Sequence, residues 1–295
     1  MNKYFKNVLT IIFFILTFSF HVFGGVEAIY GIDNRSDVYA SRNPLFVNLA
    51  KSTAAMVDKM NLKVVGDQTI LQARNLGEMY HLCPDQRFRN QPTVAGCSGT
   101  LIAPDIIMTA GHCYDLAKET CRENVWVFDY KVDRENQASV SVPNSNIYEC
   151  EKVLLKEMNV KEGIDHALIK LKRIVEDRNF ARIRDGGEIA LSTSLVLIGH
   201  PSGLPTKIAD DGHVLKIAPN YFLTNLDAFT VNSGSGVFNA QTGIVEGILV
   251  SGQMDYDGKG QCSSVVNYEM NSGNETVVKV DKLRTFLQSN SLISK

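Results

Sequence analysis

The chain has 295 residues, 44% of them apolar, and a formal net charge of −2 at pH 7 from 30 Lys and Arg against 32 Asp and Glu. Both signs are mixed along the chain, which argues against a nucleic-acid or anionic-membrane surface. The length suits one large domain or two small ones.

The first element in chain order is not part of the fold. Met1–Asn7 carries Lys3 and Lys6, Val8–Phe23 is almost wholly apolar, and Val26 and Ala28 follow. A basic start, a short apolar run and a V-x-A ending read as a secretory signal peptide, residues 1–28, cleaved near Ala28. An uncleaved anchor is the alternative, but the run is short for a span of about 20 residues. Residues 29–66 show no clear pattern and read as an N-terminal extension or propeptide, which leaves 67–295 as the main domain.

Within that domain the apolar runs are short and punctuated by turn residues. Leu101–Ile107, Val125–Tyr130, Ala167–Leu171, Ser194–Ile198, Val237–Phe238 and Ile244–Val250 read as strands. Near the C-terminus Val280, Leu283, Phe286 and Leu287 recur on one face, which predicts a helix over Val280–Ser289. The pattern is all-β with a closing helix.

Six cysteines stand at positions 83, 97, 113, 121, 150 and 262. An even number behind a signal peptide favours disulfides, and spacing alone does not choose the pairs. There is no C-x2-C pair, so a structural zinc site is not expected. Asp255-Tyr256-Asp257-Gly258 faintly resembles a calcium loop but lacks the following Glu. No metal and no cofactor are expected. His81, His200 and His213 adjoin turn-like stretches and read as surface residues. Strand alternation turns His166 away from Asp165.

Three segments carry chemistry. The first runs from Cys97-Ser-Gly-Thr-Leu to Thr109-Ala-Gly-His112-Cys113, the second is Gly163-Ile-Asp165-His-Ala-Leu-Ile, and the third is Asp227-Ala-Phe-Thr-Val-Asn-Ser233-Gly-Ser-Gly. A serine hydroxyl needs a base to attack a carbonyl, and imidazole near its neutral pKa suits that task. A carboxylate fixes the imidazole tautomer and stabilises the imidazolium.

These segments resemble the histidine, aspartate and serine segments of trypsin-like (chymotrypsin-fold) serine peptidases, in the family's order. The third is similar to the nucleophile loop of the bacterial glutamyl endopeptidase-like branch. The resemblance runs from about Ala95 to the C-terminus and implies two packed six-stranded antiparallel β-barrels with a C-terminal α-helix. It implies Ser233 as nucleophile, His112 as general base and acid, and Asp165 as the orienting carboxylate. It also implies a Cys97–Cys113 disulfide and an oxyanion hole from the N–H groups of Val231 and Ser233. Substrates would be proteins or peptides, in an extracellular or periplasmic setting, with no nucleic acid and no stable membrane association.

This sequence departs from that family pattern in several places. Val231 stands where glycine is usual, and a β-branched residue resists unusual backbone angles. The hole is therefore distorted, formed only when substrate binds, or built within valine's own range. Where trypsin-like zymogens place the Asp that receives a new N-terminal amine, this chain has Asn232. Leu249 and Ala228 replace the polar groups that would bind a glutamate side chain. Asp227, six residues before Ser233, matches the pocket acid of peptidases that cleave after Arg or Lys. A catalytically silent fold acting as a binding protein is the competing reading.

Overall fold

The computed structural model describes residues 28–114, 119–258 and 260–293. Of the leader reading, residues 1–28, all but Ala28 lie outside these. Among the described residues no helix is long and apolar enough to cross a membrane.

Two short strands open the fold, β1 (Ile29–Tyr30) and β2 (Ser36–Asp37), followed by helix α1 (Pro44–Ala50). The first barrel comprises β3 (Thr53–Asp58), β4 (Cys97–Ala103), β5 (Ile106–Thr109), β6 (Asn124–Phe128), β7 (Ile147–Asn159) and β8 (Ile164–Leu171). Its order is β6-β7-β8-β5-β4-β3, closed by β3 against β6, and every pairing is antiparallel.

The second barrel uses β9 (Ser194–Gly199), β10 (Lys207–Ile217), β11 (Tyr221–Thr224), β12 (Gly236–Asn239) and β13 (Val245–Ser251). After β14 (Asn267–Tyr268), which pairs with β1, it is completed by β15 (Glu275–Lys279). The order β9-β12-β13-β15-β11-β10 closes through β9 against β10. Helix α2 (Asp281–Ser289) follows and buries Leu283 and Leu287. The expected two-barrel fold and closing helix are therefore present.

Period-two alternation explains how one strand serves two cores. In β9, Leu195 and Leu197 fill the second barrel, while Val196 and Ile198 join the large cluster shared with the first barrel and α2. In β6, Trp126 and Phe128 face that shared cluster and Val125 and Val127 face another. Strands buried on both faces explain why their sequences read as continuous apolar runs.

Three differences from the sequence reading have simple causes. The run Leu101–Ile107 is two strands, because Pro104-Asp105 turns the chain between β4 and β5. The stretch 29–66 is not outside the domain: β3 is a wall of the first barrel, and β2 pairs with β10 in the second. Lys207, fully buried and pushed down to about 8 by burial, bonds Asp37 Oδ1 at 2.6 Å and Gln91 Oε1 at 2.7 Å, which ties β2 in place. His200 is buried rather than at the surface. It stacks on Tyr130 and bonds Leu204 O at 3.0 Å through Nδ1, and burial lowers its pKa to about 3.

The disulfides are Cys83–Cys262, Cys97–Cys113 and Cys121–Cys150, with no free cysteine. The pairing of 97 with 113 agrees with the resemblance.

Candidate active site

His112 lies in a 3-10 turn, Gly111–Cys113, that leaves the end of β5. Asp165 is the second residue of β8, the strand paired with β5, so the sheet itself brings the two together. The His112 backbone N–H donates to Asp165 Oδ1 at 2.8 Å, and Nδ1 lies 2.6 Å from Oδ2. Both carboxylate oxygens are thus spent on one residue, which fixes the ring's orientation and leaves Nε2 directed elsewhere. Gly111 permits this approach, since a Cβ there would sit 2.6 Å from Glu157 O and 2.9 Å from Asp165 Oδ1. His166 faces the other way, 3.3 Å from Glu157, and burial lowers its pKa.

Ser233 belongs to the loop between β11 and β12 and is held across the junction of the barrels. Its carbonyl accepts from Ser98 N of β4 at 2.9 Å, and Gly234 N donates to Leu249 O of β13 at 2.8 Å. Ser98 and His112 each adjoin one half of the Cys97–Cys113 bridge. The staple therefore ties the histidine turn to the strand that holds the serine backbone. Asn232 Oδ1 accepts from Ser235 Oγ at 2.8 Å, and Thr230 N donates to Asp255 Oδ2 at 2.9 Å. The loop is rigidly supported.

Val231 has φ +73°. That is the left-handed region, sparsely used by non-glycine residues and an outlier for a β-branched one. Valine does not fit within its ordinary range here. It adopts the conformation that glycine adopts, with its side chain packed on the cluster containing Val125 and Val127.

The expected substrate pocket is corrected by the structure. Asp227 is almost fully buried, and its oxygens accept from Tyr30 N at 2.8 Å and Asn34 N at 2.9 Å. Burial raises its pKa to about 6. It does not stand as an unpaired carboxylate awaiting a substrate cation, because the N-terminal segment supplies its partners. Ala228 and Leu249 are both fully buried in the second barrel's core, away from any open surface.

One cluster of three potential metal ligands exists among the described residues, Cys97, His112 and Cys113, with ligand atoms within 4.8 Å. Both sulfurs are consumed by their disulfide, so one imidazole is too few donors for an ion.

The model of the trypsin-like peptidase domain family matches residues 97–248, just over half of the chain. The chain belongs to that family. Among solved structures, this trypsin-like chain is similar to a Glu endopeptidase solved in complex with MPD, at 17% identity and TM-score 0.53. That match covers 90% of this chain and 100% of the other. It is also similar to the Vibrio cholerae VesB protease, at 12% identity and TM-score 0.53, over 88% of this chain and 68% of that one. At such identities the likeness carries the fold. A search of curated protein sequences finds no match.

Sequence reasoning found the triad candidates but missed Tyr30 and Glu275. Tyr30 Oη donates to Glu275 Oε1 at 2.8 Å across 245 residues of sequence, and no local pattern announces such a contact.

Proposed function

We propose that this trypsin-like peptidase is a secreted serine endopeptidase acting through Ser233, His112 and Asp165. The observation that supports it is the two-bond pairing of His112 with Asp165 beside the anchored Ser233 loop. As Ser233 Oγ bonds to the scissile carbonyl carbon, its proton passes to His112 Nε2, which returns it to the leaving amine. Water then hydrolyses the acyl-enzyme with His112 again as base. Asp165 stabilises the imidazolium, and the N–H groups of Val231 and Ser233 face the developing oxyanion. Three disulfides support an oxidising, extracellular or periplasmic setting. Cleavage after Arg or Lys does not follow from Asp227, whose oxygens are already bonded.

The test is labelling with a serine-directed organophosphate and mapping of the adduct. A single adduct at Ser233 is expected, formed far more slowly in His112→Ala. An adduct at another serine, or none, would reject the reading.

Val231→Gly separates an active hole from a silent one. An oxyanion donor is worth about 2.7–4 kcal/mol. Because φ at Val231 already lies where glycine would put it, kcat is expected to change by less than about threefold, well below the loss of a donor. A rise of about tenfold or more would mean that the valine withholds its N–H.

A further inference from the structure

The strand pair that carries Asp165 has a second chemical face. His166 follows Asp165 on β8, points to the opposite side of the sheet, and stands directly across from Glu157 of β7. It is 1% exposed, and neither ring nitrogen makes a hydrogen bond. A buried imidazole without partners costs free energy that a ligand in the right place recovers. Its Nε2 lies 3.3 Å from Oε2 of Glu157. Burial lowers the pKa of the ring, so at neutral pH it keeps a lone pair for a ligand.

Both side chains line a cavity of about 340 Å³ covered by α2. The helix supplies Lys282, Thr285 and Ser289, whose spacing sets them along one face. Thr285 Oγ1 donates to Asp281 O at 3.0 Å, and Ser289 Oγ donates to Thr285 O. Their protons are spent on the helix, which leaves lone pairs for the cavity. Lone pairs suit the protons of metal-bound water and repel an anion. The Glu157 side chain is half exposed, which gives a path in from solvent.

We propose that Glu157 and His166 form a binding site for a divalent transition-metal ion of the zinc class, on the face of β7 and β8 opposite the triad candidates. An imidazole nitrogen and a carboxylate oxygen held tetrahedrally at about 2.0–2.1 Å from zinc lie about 3.3–3.4 Å apart. The observed 3.3 Å matches that separation. Water completes the coordination, and the cavity has room for it. Imidazole with carboxylate suits zinc, nickel or copper better than calcium or magnesium. Lys282 opposes the ion's charge, but its long side chain is exposed and can turn to solvent. No sequence motif announces the pair, because only strand register brings the two donors opposite one another. The ion fastens β7 to β8 beside the histidine turn, where the carbonyls of Glu157 and His166 wall Gly111 at 2.6 Å and 3.0 Å from the place of a Cβ. The site uses none of the triad candidates and does not depend on the peptidase reading.

Zinc chloride titrated into metal-stripped protein decides it, with calorimetric binding and the melting temperature as readouts. The parent is expected to take up one zinc and to melt higher with it. His112→Ala, which removes the imidazole beside the Cys97–Cys113 bridge, should bind zinc as tightly as the parent. His166→Gln and Glu157→Gln should each weaken binding at least about tenfold. The exposed Glu157 carries that arm alone if His166→Gln does not fold. Lys282→Gln should tighten binding, because it removes a like charge. Zinc uptake that survives Glu157→Gln and His166→Gln unchanged, that is lost in His112→Ala, or that is absent at millimolar zinc would overturn the site. Uptake of inorganic phosphate instead, abolished by Lys282→Gln, would also overturn it and assign the cavity to an anion.

Discussion

Ser233→Ala is expected to lower peptide-bond hydrolysis by about 10⁴–10⁶-fold with the melting temperature unchanged. The two halves of that expectation rest on different atoms. The serine backbone is fixed by its carbonyl to Ser98 N and by its neighbours Gly234 and Ser235 to Leu249, and alanine keeps all of these. The hydroxyl makes no hydrogen bond that holds the fold among the described residues, so removing it takes the proposed nucleophile and little else. Steady-state hydrolysis of a mixed peptide library and a thermal melt of the same preparation check it. Turnover like that of the parent would remove Ser233 from the mechanism and favour another nucleophile.

Gly234→Ala should affect both stability and activity. Gly234 has φ +89°, and a Cβ there would overlap Ser98 O and the Thr109 hydroxyl. Thr109 already donates to Ser98 O at 2.7 Å, so that oxygen cannot move without breaking a buried bond. Left-handed backbone costs an L-residue about 1–2 kcal/mol, and overpacking adds about 1–3 kcal/mol. A loss of about 2–5 kcal/mol in urea unfolding is therefore expected. The loop can accept the methyl only by backing away from β4, which carries Ser233 away from His112. Misplacement of reacting groups by about 1 Å costs on the order of 10²-fold in rate. A variant with parental kcat/KM and an unchanged urea midpoint would mean that the loop and β4 are not coupled as described.

Much of the site was legible because its residues sit in short, rigid local motifs. Thr109-Ala-Gly-His112-Cys113 encodes a strand end, a close approach at Gly111 and a disulfide, all within five residues. The strands of the second barrel were legible because β-branched and large apolar residues run together between glycines. The first barrel's opening strand was not, since Thr53–Asp58 holds two alanines and only two larger apolar side chains, Met56 and Val57, between its polar ends. What makes it a strand is pairing with β6 and β4, which are distant in sequence. Asp227 misled for a related reason. Spacing placed it correctly before the serine, but its partners come from Tyr30 and Asn34, at the other end of the chain. His200 adjoins Pro201-Ser202-Gly203, a turn signal that elsewhere means surface. Here the turn lies at the barrel junction, with His200 N donating to Ser98 Oγ at 3.0 Å.

The bridge between Cys83 and Cys262 has a consequence for durability. It spans 179 residues and encloses the other two bridges and all three triad candidates. A peptidase meets other peptidases, its own copies included, and exposed loops are where it will be nicked. A single cut anywhere between 84 and 261 would open the backbone but leave both pieces covalently joined, with the closed barrels still paired strand to strand. Such a clipped molecule would keep its mass on a non-reducing gel and fall into fragments only after reduction. Autolysis inside this loop would therefore wear the enzyme out slowly, whereas reductants would retire it at once.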